Sequence, residues 1–169
     1  MMSKFVKYTI KKSKHYCSNL FRFRLCLWKS KLTRNVIFTD SCKYDLPYPQ
    51  SLAVNKLFGI SYGYHHKNSV RFGWHYNYGK IQLFAYCYVD GVRKESFICA
   101  LETNEIYKLS ILKTKDKYFF AVSGKDVLAQ KSITHGTNMS KIGYQLFPYF
   151  GGTEVAPHDI TILIQKNEK

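Results

Sequence analysis

Hydrophobic and polar residues alternate with a period of two along most of this chain, and no segment longer than about three turns carries apolar residues at helical spacing, so the pattern predicts strands. Strands are expected near 56–62, 68–76, 80–89, 92–101, 106–113, 118–123, 126–131, 143–150 and 159–165. Further upstream, Leu20 to Trp28 sets Phe21, Phe23, Leu25 and Leu27 against Arg22, Arg24 and Cys26, and Val36 to Thr39 is a shorter candidate. Asp45-Leu-Pro-Tyr-Pro49 breaks the pattern with two prolines that cannot donate to a central ladder, which makes it a loop or an edge. Turn signals recur at the spacing of a sandwich or barrel.

Two hairpins can be registered from the pattern alone. With Tyr78-Gly79 as a two-residue loop, Val70, Phe72, Trp74 and Tyr76 oppose Cys87, Ala85, Leu83 and Ile81, while Ser69, Arg71, Gly73 and His75 oppose Tyr88, Tyr86, Phe84 and Gln82. A slip by one residue would mix the two sets. Asp90-Gly91 is a strong hairpin signal that then places Arg93 opposite Tyr88, Glu95 opposite Tyr86 and Phe97 opposite Phe84. Arg71, Tyr86 and Glu95 form a row across three strands, with Tyr88 and Arg93 beside it and His75 and Gln82 further along. Such a row serves recognition or is simply a solvated sheet face. In a third hairpin, Gly124-Lys125 as a two-residue turn would place Val122 opposite Val127 and Phe120 opposite Ala129.

The composition narrows the class. At 169 residues and 46% hydrophobic, the chain can bury one core without metal or disulfides, and residues 1–169 are expected to form a single β-sandwich domain. The net charge of +15 is uneven: residues 1–39 hold ten Lys and Arg and no acid, leaving 16 basic residues against 11 acidic ones. The basic segment 1–34 is expected to supply the first strands, and its charge suggests a polyanion partner such as nucleic acid, or serves solubility alone. Cys17, Cys26, Cys42, Cys87 and Cys99 show no metal-ligand spacing, and their odd number argues for a reducing compartment. Cys87 and Cys99 are expected on different faces, far apart. The N-terminus lacks an uninterrupted apolar region and no stretch approaches membrane-span length, so a cytoplasmic protein without a membrane span is expected.

Tyr64-His-His-Lys-Asn-Ser-Val-Arg-Phe-Gly-Trp74, Ala85-Tyr-Cys-Tyr-Val-Asp-Gly91 and Leu146-Phe-Pro-Tyr-Phe-Gly-Gly-Thr-Glu-Val-Ala-Pro-His-Asp-Ile160 resemble, in this order, three blocks of a group of uncharacterised bacterial and bacteriophage proteins. The resemblance covers roughly residues 55–165. It implies an all-β, antiparallel jelly-roll sandwich of the concanavalin-like lectin and glucanase type, a superfamily of glycan-binding modules, glycosidases and polysaccharide lyases. It carries no established activity.

Three chemistries compete for these residues. A carbohydrate needs flat aromatic faces and planar polar groups, which Arg71, Tyr86, Tyr88, Gln82, His75 and Glu95 offer. An anionic nucleotide-type molecule, such as a host-defence signal sequestered by a phage protein, would pair with Arg71, Arg93, His65, His66 and Lys67. A polysaccharide lyase could cast Arg71, Asn68, His75 and Tyr86 as charge neutraliser and base, but no full lyase signature is present. No strand supplies the two carboxylates, about 5 to 5.5 Å apart, of a retaining glycosidase. His65 and His66 could ligate a metal with His75, Glu154, His158 or Asp159 only if they sit on a loop. In Phe150 to Asp159, Gly151-Gly152 and Pro157 point to a shaping role, with Asp159 tying the loop through its own backbone, and Glu154 and His158 are the members that could touch a ligand. The expectation is non-catalytic carbohydrate binding, without cofactor or metal, by His65, His66, Asn68, Arg71, His75, Gln82, Tyr86, Tyr88, Arg93, Glu95, Glu154 and His158.

Overall fold

The structure, a computed structural model, describes residues 4–17, 25–27, 30–136 and 139–166. Its strands are β1 (Val6–Ile10), β2 (Leu25–Leu27), β3 (Lys31–Phe38), β4 (Asn55–Tyr62), β5 (Ser69–Asn77), β6 (Lys80–Val89), β7 (Val92–Leu101), β8 (Tyr107–Lys113), β9 (Lys117–Ser123), β10 (Leu128–Thr134), β11 (Ile142–Leu146) and β12 (Ile160–Lys166). They form two antiparallel six-stranded sheets, ordered β1-β12-β3-β8-β9-β10 and β2-β11-β4-β5-β6-β7. Short 3-10 turns at Asp40–Cys42 and Gln50–Leu52 are the helical elements among the described residues. None is long and apolar enough to cross a membrane.

The sheets face each other through the apolar half of each alternation. Val70, Phe72 and Trp74 of β5 and Leu83, Ala85 and Cys87 of β6 are fully buried, as are Tyr118, Phe120 and Val122 of β9. Phe72 meets Phe120 edge-on across the interface at 5.1 Å between ring centroids, and Trp74 lies 5.4 Å from Phe38 of the opposite sheet. Each such buried ring stabilises the sandwich by roughly 2–3 kcal/mol, so the parity of these strands is strongly fixed.

Every pair expected between β5 and β6 is present, from Ser69 opposite Tyr88 to Tyr76 opposite Ile81. Tyr78, Gly79, Asp90 and Gly91 all have positive φ, the signature of the type I′ turns that suit right-twisted hairpins. Arg93, Glu95 and Phe97 stand opposite Tyr88, Tyr86 and Phe84 as expected. Beyond Phe97 a bulge shifts the register, so Cys99 opposes Leu83. Cys99 thereby joins the inward face that also carries Cys87, contrary to the expectation of opposite faces; both are free thiols.

Other boundaries differ for identifiable reasons. The β9–β10 loop is four residues long, with Ser123 opposite Leu128, Ala129 opposite Val122 and Lys131 opposite Phe120. Gly124 does not take the positive φ that the two-residue turn demands. It is glycine because a Cβ there would come within 2.6 Å of the Tyr107 ring. β11 ends at Leu146 rather than at 150, since Pro148 cannot donate to the ladder and Tyr149 instead bridges Lys56 and Tyr16. The strand expected at Leu20 to Trp28 is described only at Leu25–Leu27; Leu20–Arg24 and Trp28 lie outside the described residues.

Candidate functional site

The outward face of the second sheet carries the Arg71–Tyr86–Glu95 row, and two loops wall it into a hollow of about 400 Å³. Lys56, His65, His66, Arg71, Tyr86, Tyr88, Arg93, Tyr149 and Gly152 line it. Three cations and two imidazoles thus meet three phenols, with no Asp or Glu among the lining residues.

Arg71 and Tyr86 are the most buried of these groups. Arg71 is 7% exposed, and its Nε is buried without a hydrogen-bond partner. None of the ion pairs among the described residues involves it. Its guanidinium lies 5.7 Å from the Tyr86 ring centroid, and burial pushes its pKa below the ordinary value. Gly59, opposite Arg71 on β4, lets the strands close at this point: a Cβ there would come within 2.4 Å of the Arg71 Cβ and 2.0 Å of the Val70 carbonyl oxygen.

Lys56 enters from β4 just before a bulge that separates it from Gly59. Its ammonium donates to the Gly151 carbonyl at 2.7 Å and lies 5.2 Å from the Tyr86 ring centroid. Burial, then the charges of Arg71 and Arg93, bring its pKa down to about 8. Tyr86 is pushed up to about 12, first by burial and then by its hydrogen bond with Tyr88. Near the rim, Arg93 pairs with Glu95 at 3.8 Å.

One wall is the turn between β4 and β5. His65 Nδ1 hydrogen-bonds the Tyr144 hydroxyl at 3.0 Å, and His66 stacks on Tyr88 at 5.2 Å with an interplanar angle of 20°. Burial, then His66 and Arg71, lower the His65 pKa. Asn68, expected to touch ligand, is buried in a supporting role. Its Oδ1 accepts the Asp90 backbone N–H at 3.1 Å and, with Gly91 N–H donating to the Lys67 carbonyl, ties this turn to the β6–β7 hairpin tip. The histidines do sit on a loop, but no group of three or more His, Cys, Asp or Glu among the described residues is placed to hold a metal ion.

The other wall is the 149–152 segment. Lys56 and Tyr149 exchange backbone hydrogen bonds of 2.8 and 2.9 Å, and Gly151 N–H donates to the Asn55 Oδ1 at 2.6 Å. Gly151 has φ of +62°, and a Cβ there would meet the Glu154 carbonyl oxygen at 2.1 Å, so only glycine fits. His15 stacks on Tyr149 at 5.3 Å, and Phe150 N–H donates to the His15 carbonyl, so part of the basic N-terminal segment braces this wall.

The remaining expected residues lie elsewhere. His75 is sealed at 7% exposure against Phe84, with its Nδ1 buried and unpartnered, because the 50–54 segment packs over Gly73. Gln82 donates to the Asn77 carbonyl at the far end of the hairpin. His158 is hydrogen-bonded to the Ser41 carbonyl at 2.8 Å, and the Asp159 carboxylate accepts from Lys11 and from the Lys12 backbone N–H rather than capping its own loop. Glu95 and Glu154 line a second, shallower hollow of about 330 Å³ on the other side of Arg93. Lys56, Tyr149 and Gly152 were not anticipated; the signal that could have found Lys56 is Gly73, whose bare backbone marks a close crossing beside it.

No protein-family model matches the chain, and no curated protein sequence does. Solved structures do. A protein described as functionally unknown from Saccharomyces cerevisiae matches with a TM-score of 0.58 at 9% identity, covering 99% of this chain and 90% of that one. The alginate lyase from Klebsiella pneumoniae matches at 0.55 and 8% identity over 84% of this chain and 57% of the lyase, so the chain spans little more than half of that enzyme. A GH16 protein of a Bacteroides ovatus mixed linkage glucan locus, solved with a product bound, matches at 0.53 and 6% identity over 96% and 79% of the two chains. At these identities the likeness is one of fold: the chain is a jelly-roll β-sandwich of the concanavalin-like type.

Proposed function

We propose that this chain is a non-catalytic carbohydrate-binding β-sandwich that receives a saccharide in the hollow above Arg71 and Tyr86. The observation that carries the reading is the composition of that hollow: phenol and imidazole faces beside planar and cationic hydrogen-bond donors, on a rigid sheet. Aromatic faces take the C–H surface of a sugar ring, and planar donors pair with vicinal hydroxyls. Two of the proteins that share the fold are named for glycans, which supports a sugar as the class of ligand. The adjoining hollow beyond Arg93, with Glu95 and Glu154, extends the same surface enough for more than one sugar ring.

What the hollow holds supports binding without turnover. Its lining offers no carboxylate pair for glycoside hydrolysis. Of the residues suited to a lyase, His75 is sealed and Asn68 is committed to Asp90, while Tyr86 holds its proton up to about 12 and is a poor base at neutral pH.

The test is a glycan array probed with the wild type and with a Tyr86→Ala/Tyr88→Ala double variant, at low and high salt. The proposal predicts retention by a defined subset of glycans that the folded double variant loses. A folded double variant that retains the same glycans would move the site elsewhere. Retention that collapses with salt and is the same in the wild type and the double variant would instead indicate polyanion binding by the basic N-terminal segment.

A further inference from the structure

We infer that the saccharide taken by this hollow is an acidic one, its anionic group docking on the Arg71 guanidinium with the Lys56 ammonium beside it. The inference rests on the binding function proposed for the same hollow and adds the chemical class of the ligand.

Its basis is an uncompensated buried cation. A guanidinium carries five N–H donors in a fixed fork, and burying it without a counter-ion is among the least favourable arrangements a core can adopt. Arg71 is 7% exposed, its Nε is without a partner, and no ion pair among the described residues reaches it. Glu95, the acid in the same row, stands two strands away at the Arg93 rim, 3.8 Å from that side chain. Arg71 and the Tyr86 ring it lies near both line the open hollow, so a ligand entering it can bring the missing charge.

A second cation converges on the same place. Arg71 and Lys56 approach one ring, Tyr86, at 5.7 and 5.2 Å from its centroid. Lys56 spends one N–H on the Gly151 carbonyl, leaving others for a ligand. Burial, and then the repulsion of the neighbouring Arg71 charge, lower the Lys56 pKa, and an anion between the two cations would offset that repulsion. A carboxylate or a phosphate matches the planar edge of a guanidinium, while Tyr88 with His66 stacked upon it offers a flat wall for the attached ring. If Arg71 merely supported Tyr86, no anion would be needed, and neutral sugars would bind as well as acidic ones.

The charge coupling gives a second readout. Lys56 faces Arg71 on β5, Tyr86 on β6, Arg93 and Glu95 on β7 and Tyr149 in the loop, with His65 and His66 across the hollow. Of these, Lys56 is the group whose pKa stands at about 8, so an anion bound at pH 8 raises its protonation and draws a proton from the buffer.

The experiment follows the Arg71 Nε–H resonance of the full-length protein by NMR while adding glucuronate, trigalacturonate, glucose, inorganic phosphate or AMP. Calorimetry of trigalacturonate at pH 8 runs alongside in two buffers of different ionisation enthalpy. Expected are a saturable shift with glucuronate and trigalacturonate, none with glucose at equal concentration, proton uptake on binding, and at least a tenfold loss of trigalacturonate affinity in Arg71→Met. Glucose binding as tightly as glucuronate would overturn the acidic-ligand inference and leave the carbohydrate reading intact. Phosphate and AMP binding with no response to either uronate would keep the anion site and overturn the carbohydrate reading. No response to any of the anions overturns the inference outright.

Discussion

Replacing Arg71 with methionine should make the ligand-free protein more stable while removing its binding. The substitution takes away a charge that is 7% exposed, with an Nε that has no partner, and leaves an unbranched apolar chain in its place. Relieving one buried unsatisfied donor is worth about 1–3 kcal/mol, and replacing buried charge by apolar volume is commonly neutral or favourable. Against this stands the loss of the contact between Arg71 and the Tyr86 ring, worth about 0.5–1 kcal/mol. The gain exceeds the loss, and the net is a stabilisation of about 1–2 kcal/mol. For a chain of 169 residues that corresponds to a rise in Tm of roughly 2–8 °C. Thermal unfolding at pH 7, followed by circular dichroism with and without ligand, measures it. A fall of several degrees in the ligand-free variant would mean that Arg71 is compensated within the fold, and the argument from its unpaired charge would fail.

Gly59→Ala should cost about 1–3 kcal/mol in chemical denaturation and weaken ligand binding as well, because its Cβ collides with the β5 backbone at Val70 and Arg71. Asn68→Ala should cost about 1 kcal/mol and weaken binding severalfold, since it frees the histidine turn from the Asp90 hairpin, whereas His158→Ala should leave binding unchanged. Lys56→Met should be more stable than the wild type below pH 8, with the difference shrinking as pH rises. The native Lys56 pKa of about 8 lies below the ordinary 10.5, so charged Lys56 penalises the native state at low pH and that penalty fades between the two values. Urea denaturation of both proteins from pH 7 to 10 checks the sign.

Hairpin geometry was legible because two-residue turns leave no freedom. Tyr78-Gly79 and Asp90-Gly91 determine which residues of β5, β6 and β7 face one another, and burial of Phe72 and Trp74 forbids a slip. That placed Arg71, Tyr86, Tyr88, Arg93 and Glu95 on one face correctly. Contacts set by longer connections left no such mark. The 50–54 segment that seals His75 is brought over the sheet by tertiary packing, as is the pairing of Lys56 with Tyr149 across 93 positions of sequence. Bulges were equally hidden: a one-residue offset after Phe97 moves Cys99 to the inward face, and another between Lys56 and Gly59 sets where Lys56 enters the hollow. Histidine and asparagine misled for a common reason. Asn68 and His158 resemble ligand contacts in composition, but each satisfies backbone groups that loops leave open, Asp90 N–H and the Ser41 carbonyl.

The most direct test of the central claim is to map amide and side-chain chemical-shift changes over the whole protein while titrating a glycan that the wild type retains. The account predicts that the largest changes fall on Lys56, His66, Arg71, Tyr86, Tyr88, Tyr149 and Gly152, around the single hollow they share. Changes concentrated on the exposed lysines of the N-terminal segment or on the opposite sheet, with this group unmoved, would contradict it.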